Sequence, residues 1–183
     1  MDKDYIRRKV RARKRLLDEA ERLQAAENVF NQLEKLAAFA VSNRILIYNS
    51  LPDELSTRAF IDRWQAKKKF FLPRVNGVDL DILPYDRTSL HVGAFRIEEP
   101  DGNDIADPDE MELIIVPAVA FDRHGNRVGR GKGFYDRLLS RSKAYKIGVA
   151  YDFQLFDEVD SEPHDVPVDT VITETCLIRI KKR

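Results

Sequence analysis

A glycine-rich basic segment at residues 129–136, with the sequence GRGKGFYD, combines residue types that bind phosphate. Its glycines let backbone N–H groups approach an anion closely, and Arg130 and Lys132 add positive charge. Asp136 lies about one turn into the helix that the next residues predict, and helical side chains tilt toward the N-terminus of their helix. Its carboxylate would therefore reach a metal ion bound beside the phosphates. The residue types and their spacing indicate a site for a nucleotide phosphate with Mg²⁺.

Generic phosphate-binding motifs do not describe this segment. A Walker A loop needs Ser or Thr after its Lys, whereas Lys132 is followed by Gly133. A dinucleotide fingerprint needs Gly-x-Gly-x-x-Gly, and the spacing here is Gly-x-Gly-x-Gly. The alternative is a surface hairpin whose Arg and Lys are only solvated, with Asp136 complementing the dipole of the helix. On spacing alone, we favour the phosphate interpretation.

The composition excludes several classes of protein. The 31 Lys and Arg residues balance the 31 Asp and Glu residues, so no overall charge favours nucleic acid. The single cysteine, Cys176, excludes an internal disulfide and is typical of a reducing compartment. The first residues lack the apolar stretch of a signal peptide, and no apolar run is long enough to span a bilayer. We therefore expect a cytoplasmic protein without a membrane partner, with one domain over residues 1–183.

The predicted strands and helices alternate, and this order decides how the glycine-rich segment is positioned. The β-branched apolar run at residues 113–116 predicts a buried strand, and residues 122–126 predict a turn that leads to the glycines. The apolar periodicity predicts further elements, with helices at 2–24, 27–41 and 56–67 and strands at 44–48, 69–73, 78–83 and 145–151. This order predicts an α/β domain with a mostly parallel sheet covered by helices. Residues 49–54 follow a strand directly, and ligands gather at the carboxyl ends of such strands.

The stretch VPAVAFDRHGNRVGRGKGFYDRLL, at residues 116–139, resembles the signature of the 5-formyltetrahydrofolate cyclo-ligase family, also called 5,10-methenyltetrahydrofolate synthetase. The resemblance covers nearly the whole chain, with further matches near Lys3, Glu54 and Asp165. It implies a single three-layer domain like those of sugar-phosphate isomerases and CoA transferases. It also implies conversion of 5-formyltetrahydrofolate to 5,10-methenyltetrahydrofolate with ATP as co-substrate and Mg²⁺, by a protein that we expect to be a monomer. Phe134 departs from the family, which often has a second Tyr there, and this leaves a hydrogen bond in question.

The resemblance also implies roles for individual residues. The ATP-binding set is Lys3, Arg7, Arg127, Val128, Gly129, Arg130, Gly131, Lys132, Gly133, Phe134 and Tyr135. Within that set, Arg130 and Lys132 are the expected catalytic residues, because they would offset charge on the transferred phosphoryl group. The folate-binding set is Asn49, Glu54, Phe134 and Tyr135. Asp136 and Asp165 are the expected metal ligands. Residues 90–100, which include Phe95 and Ile97, match a family segment near the folate pocket.

Alternative interpretations remain for several of these residues. Glu54 would also favour the dipole of the helix at 56–67, and Asp165 would also suit an Asx turn. The cations of the first helix form one stripe, which is Lys3, Arg7, Arg11 and Lys14. This stripe suits a solvated face, and a nucleic-acid arm is a rival reading. A phosphosugar isomerase or acyl transferase is a second rival, because it would use a similar phosphate loop without ATP hydrolysis.

Overall fold

The computed structural model of the chain describes residues 1–93 and 98–182. Phe95 and Ile97, assigned above to a segment near the folate pocket, lie outside the described residues. The helices of the described part are α1 Lys3–Lys14, α2 Glu19–Glu34, α3 Ala37–Val41, α4 Arg58–Trp64 and α5 Phe134–Ser140. Its strands are β1 Arg44–Ile47, β2 Lys69–Asn76, β3 Asp79–Pro84, β4 Leu90–Val92, β5 Glu98–Pro100, β6 Leu113–Val116, β7 Ala120–Asp122, β8 Arg127–Val128, β9 Tyr145–Val149, β10 Leu155–Phe156, β11 Thr170–Ile172 and β12 Leu177–Arg179.

Among these strands, seven form a central sheet in the order β12-β11-β9-β6-β1-β2-β3. The five inner strands pair in parallel, and β3 and β12 add antiparallel edges. Strand β6 lies beside β1, so the carboxyl ends of both strands open at the same edge of the sheet. The predicted α/β class with a mostly parallel sheet is confirmed. The loops that follow β1 and β6 therefore face one region.

Helices cover both faces of the sheet, which explains why β6 is apolar at every position and β1 at every position after Arg44. Ile45 and Ile47 of β1 pack in one core cluster with α2, α3 and α4. Leu46, which points to the opposite face, packs with Leu138 and Leu139 of α5. The predicted three-layer arrangement is confirmed. Within the described ranges, no helix combines the length and the apolar character needed to cross a membrane.

The predicted first helix, residues 2–24, is wrong in extent because it is two helices. Helix α1 ends at Lys14 and α2 begins at Glu19, where the Asp18 carboxylate accepts a hydrogen bond of 2.7 Å from the Glu21 backbone N–H. The two helices belong to different clusters, since Ile6 of α1 packs with β7 and β8 whereas α2 packs on the central sheet. The chain has to turn between them. The second predicted helix likewise divides into the end of α2 and α3.

The turn between β7 and β8 is organised by the carboxylate of Asp122, which is fully buried. Its Oδ1 accepts hydrogen bonds of 2.9 Å from the backbone N–H groups of His124 and Asn126. Its Oδ2 accepts from the side-chain amide of Asn126 at 2.9 Å and from the backbone of Val159 at 3.1 Å. Gly125 adopts φ 83° at the tip, and a Cβ there would lie 2.6 Å from the Val168 carbonyl oxygen. The turn directs β8 toward the glycine-rich segment.

Replacing Asp122 with alanine should lower the free energy of unfolding by about 3 kcal/mol, because four donors would lose a buried acceptor. Urea denaturation would measure the change. The matched control is Asp157→Ala, since the Asp157 side chain is 99% exposed and its carboxylate pairs with Arg123 at the surface. We expect the control to change the free energy by less than about 0.5 kcal/mol. Equal effects of the two substitutions would contradict this account of the turn.

Candidate active site

A cavity of about 840 Å³ opens at the carboxyl ends of β1 and β6, a size typical of small-molecule sites. Helix α1, the loop after β1, the glycine-rich segment and residues 160–165 contribute to its walls. With one exception, every residue predicted above to bind substrate, nucleotide or metal lines this cavity. The exception is Val128, whose side chain is fully buried in the cluster that contains Ile6 and Val10. The fold thus brings together residues from four distant parts of the sequence.

The glycine-rich segment takes a shape that side chains would oppose. Gly131 and Gly133 have φ angles of 104° and 70°, which lie in the region that favours glycine. A Cβ on Gly129 would lie 3.1 Å from a guanidinium nitrogen of Arg127. The Nε of Arg7 donates a hydrogen bond of 2.9 Å to the Gly129 carbonyl oxygen. The segment is therefore fixed on one side by the first helix and on the other by a buried arginine.

Arg127 lies beneath the segment with only 6% of its side chain exposed. One of its terminal nitrogens lies 3.6 Å from Oδ2 of Asp136, and the other donates to the Pro117 carbonyl oxygen at 3.3 Å. The guanidinium also lies over the ring of Tyr135, at 5.5 Å from its centroid. Burial lowers the pKa of Arg127, while the negative charge of Asp136 acts in the opposite direction. This cation orients both the aromatic residue and the carboxylate that follow the glycines.

The two predicted metal ligands line the same cavity, and each already has a cationic partner. The Nζ of Lys3 lies 2.6 Å from Oδ2 of Asp165, which also accepts from the Glu162 backbone at 2.9 Å. Burial acts to raise the pKa of Asp165, but the hydrogen bonds from Lys3 and Glu162 outweigh it and lower that pKa. Asp136 accepts a hydrogen bond of 3.3 Å from the backbone of Val166. This bond ties the loop of Asp165 to the first turn of α5.

Two of the predicted folate residues, Asn49 and Glu54, line the cavity from the loop after β1. The Glu54 side chain is 14% exposed, and its Oε1 accepts a hydrogen bond of 2.9 Å from the Leu51 backbone. Burial raises the pKa of Glu54, while the Leu51 N–H and the charge of Arg130 act to lower it. A terminal nitrogen of Arg130 lies 4.0 Å from Oε2 of Glu54, so the two walls meet there. Asn49 donates to the carbonyl and carboxylate of Glu98, both at 3.4 Å.

Several cavity residues were not predicted as site residues from the sequence. The ionisable ones include Glu98, Glu99, Asp160, Glu162 and His164. Residues 162–165 place three possible ligand atoms within 4.8 Å of one another. For Glu162 and His164, the local signal in the sequence was the proline-containing run EPHDVPVD, whose prolines restrict the directions of its carboxylates. Glu98 and Glu99 are on β5, whose place beside the cavity depends on long-range packing.

Replacing Lys3 with methionine should lower the free energy of unfolding at neutral pH by about 2 kcal/mol, because the buried Asp165 carboxylate loses a charged donor. The Asp165 pKa is lowered in the folded protein, so the contribution of the pair is present above the ordinary Asp pKa. It is lost as pH falls through that lowered pKa. The difference between wild type and Lys3→Met should therefore disappear in acid.

Urea denaturation of both proteins over a series of pH values would check this prediction. Arg8→Met is the matched control, because Arg8 is an exposed cation on the same helix. It should give a small difference at every pH. A Lys3→Met effect that stays constant into acid would mean that the Asp165 carboxylate is not involved.

Comparisons with known proteins identify the family of the chain. The model of the 5-formyltetrahydrofolate cyclo-ligase family matches residues 1–174. The chain is 29% identical over 174 residues to the 5-formyltetrahydrofolate cyclo-ligase of Escherichia coli, covering 90% of this chain and 96% of that protein. It is 30% identical over 180 residues to the Haemophilus influenzae cyclo-ligase, covering 93% and 96%. The NMR structure of 5,10-methenyltetrahydrofolate synthetase from Aquifex aeolicus superposes with a TM-score of 0.89 at 36% identity, covering 99% of this chain and 94% of that one. The chain therefore belongs to the 5-formyltetrahydrofolate cyclo-ligase family.

Proposed function

We propose that this enzyme converts 5-formyltetrahydrofolate to 5,10-methenyltetrahydrofolate, consuming ATP with Mg²⁺ and releasing ADP and phosphate. One observation carries the proposal beyond the family assignment. The glycine-rich segment forms the phosphate wall of the cavity, and residues 49–54 form its folate wall. The two walls meet where Arg130 lies 4.0 Å from Glu54. A phosphoryl group held by the glycine-rich segment would therefore lie next to a substrate held by residues 49–54. Direct transfer between two substrates needs this juxtaposition.

The chemistry explains why ATP is needed. The formyl group on N5 is amide-like, and its oxygen is a poor leaving group. In the proposed reaction this oxygen attacks the γ-phosphorus of ATP, and the bond to ADP breaks. The N10 nitrogen then attacks the formyl carbon, phosphate leaves with the former formyl oxygen, and N10 loses its proton. Such a transfer depends on positioning and on neutralising charge more than on covalent chemistry by the protein.

The glycine-rich segment would hold the phosphates. Backbone N–H groups of Gly129, Gly131 and Gly133 are the proposed donors, with Arg130 and Lys132 as the neighbouring cations. Lys132 is exposed to the cavity, and among the residues that the structure describes its ammonium has no ion pair. It is therefore available to an incoming phosphate without breaking an existing contact. Lys3, Arg7, Arg127 and the aromatic pair that follows the glycines complete the proposed nucleotide side.

Asp136 and Asp165 are the residues that would hold Mg²⁺. Both present carboxylate oxygens to the cavity, as a hard cation prefers, and hydrogen bonds favour the ionised form of Asp165. When bound, Mg²⁺ would neutralise charge on the phosphate oxygens. The chain's own part is to keep the two carboxylates together, through the Val166 N–H that bonds Asp136 and the Lys3 ammonium that bonds Asp165.

Glu54 and Asn49 would bind the reduced folate, with Phe134 and Tyr135 as aromatic surface. A carboxylate accepts hydrogen bonds from the amino and ring N–H groups of a pterin, and the position of Glu54 in the cavity suits this role. Phe134 supplies a ring without a hydroxyl. Any hydrogen bond that a tyrosine would make there has to be absent or made by another residue.

The purified protein, mixed with 5-formyltetrahydrofolate, ATP and Mg²⁺, should show a rise in the near-ultraviolet absorbance of the methenyl product. The rise should require both ATP and Mg²⁺, and ADP should appear in equal amount. Release of ADP without folate, or turnover without ATP, would contradict the proposal. The second result would favour an acyl transferase or isomerase that uses the same phosphate loop.

Lys132→Ala should leave the fold intact and reduce kcat by about 100-fold or more, because one cation near the transferred phosphoryl group is removed. Lys143→Ala is the matched control, since Lys143 is an exposed lysine of the same part of the chain that does not line the cavity. It should retain normal turnover. Near-normal kcat in folded Lys132→Ala would mean that Lys132 has no catalytic role.

A further inference from the structure

The loop that carries Asn49 and Glu54 depends on the first two helices for its shape. It is irregular, and its backbone is held by Arg22 of α2. The Nε of Arg22 donates to the Glu54 carbonyl oxygen at 2.8 Å, and a terminal nitrogen donates to the Leu51 carbonyl oxygen at 3.3 Å. The side chain of Arg22 is only 13% exposed. The backbone around Glu54 is therefore fixed from the side of the helices.

Lys14, the last residue of α1, approaches the carboxylates of this loop from the same side. Its side chain is 10% exposed, and its Nζ lies 3.6 Å from Oδ2 of Asp53. Lys14, Glu54 and Tyr48 also line a separate small void of about 10 Å³ behind the main cavity. A void of this size has room for about one water molecule. Lys14 and Glu54 thus line the same small space.

The charged and titratable groups that face Glu54 come from several elements. They are Lys14 of α1, Arg22 of α2, Asp53 of its own loop, Arg130 of the glycine-rich segment and the hydroxyls of Tyr48, Tyr135 and Tyr151. Burial raises the pKa of Glu54, and the Leu51 N–H and the charges of Arg130 and Lys14 act to lower it. Burial likewise lowers the pKa of Lys14, and Asp53 and Glu54 act to raise it. Each of the two buried charges thus favours the ionised form of the other.

The two cations near Glu54 differ in what else they contact. Arg130 is 58% exposed and belongs to the phosphate wall, where the proposed reaction would engage it with ATP. Lys14 does not line the main cavity, and it pairs with one oxygen of Asp53 while Arg130 lies 3.7 Å from the other. Lys14 would therefore remain beside Glu54 throughout the reaction. Its place in the stripe of cations on α1 suggested a solvated residue, but its burial points to a different role.

We propose that Lys14 is a positioning residue whose buried ammonium, paired with Asp53 next to Glu54, favours the ionised Glu54 carboxylate that accepts hydrogen bonds from the reduced-folate ring. This inference rests on the proposed function, since it concerns the same folate wall. Lys14 itself does not touch the substrate. Its removal should weaken folate binding by changing the titration of Glu54.

The test is isothermal titration calorimetry of the full chain with 5-formyltetrahydrofolate, without ATP, over a range of pH. At neutral pH, Lys14→Met should raise the Kd for the folate by about tenfold, because fewer Glu54 side chains are ionised and able to accept charged hydrogen bonds. Without the ammonium, the Glu54 pKa is higher, so the loss of binding in acid should begin at a higher pH. In alkaline solution Lys14→Met should approach the wild-type Kd.

Two variants control for charge and for general effects. Lys14→Arg retains the positive charge and should restore the wild-type pH dependence. Arg11→Met removes an exposed cation one turn earlier on α1 and should behave as wild type. If Lys14→Met does not fold, Lys14→Gln, which retains a polar end, takes its place in the same titration.

The outcomes separate this inference from the proposed function. A wild-type protein that does not bind 5-formyltetrahydrofolate would overturn the proposed function and this inference with it. Wild-type binding combined with an unchanged pH dependence in Lys14→Met would overturn only the role of Lys14. An equal loss of affinity at every pH would also overturn it, because that result indicates a packing role.

Discussion

The hydrogen-bonded ion pair between Lys3 and Asp165 joins residues that are 162 positions apart, and the cavity depends on it. It attaches the start of α1 to the loop that carries the second proposed metal ligand. Two further contacts act with it, since the N-terminal ammonium of Met1 lies 2.8 Å from Asp160 and Arg7 donates to the Gly129 carbonyl oxygen. Exposed ion pairs contribute little to stability, but here the side chains are only 20% and 8% exposed. Together with the packing of Ile6 and Val10 against β7 and β8, this attachment holds α1 as a wall of the cavity.

The sequence predicts local features of the candidate site, and phosphate binding at the glycine-rich segment stays a prediction. The glycines, the two cations and Asp136 lie within eight residues, so their types and spacing are sufficient to indicate a phosphate site. The buried strand β6 was also evident from the sequence, because its apolar run is continuous. Lys3, Glu54 and Asp165 were found only through the family resemblance. No local pattern indicates that residues at the two ends of a chain will meet in one cavity.

Features that depend on long-range packing were missed or misread. The break after Lys14 had a signal, since Asp18 and Glu21 have the spacing of a helix cap, but the apolar periodicity that continues through Leu17 concealed it. Lys14 and Arg22 lie on amphipathic helices, where charged residues are usually solvated. Their burial depends on the loop after β1, which packs against both helices. Periodicity describes one helix at a time and cannot predict such a contact.

The two proposed metal-binding carboxylates of the cavity are already paired with cations, and this has a consequence for the proposed function. Asp136 faces Arg127 and Asp165 faces Lys3, so each proposed metal ligand already has a cation. Mg²⁺ at these carboxylates would take the place of the two cations and leave their charge without a partner. The phosphates of ATP are the anions that would compensate it. Metal and nucleotide would therefore each favour the binding of the other, and the site is suited to bind them as a unit.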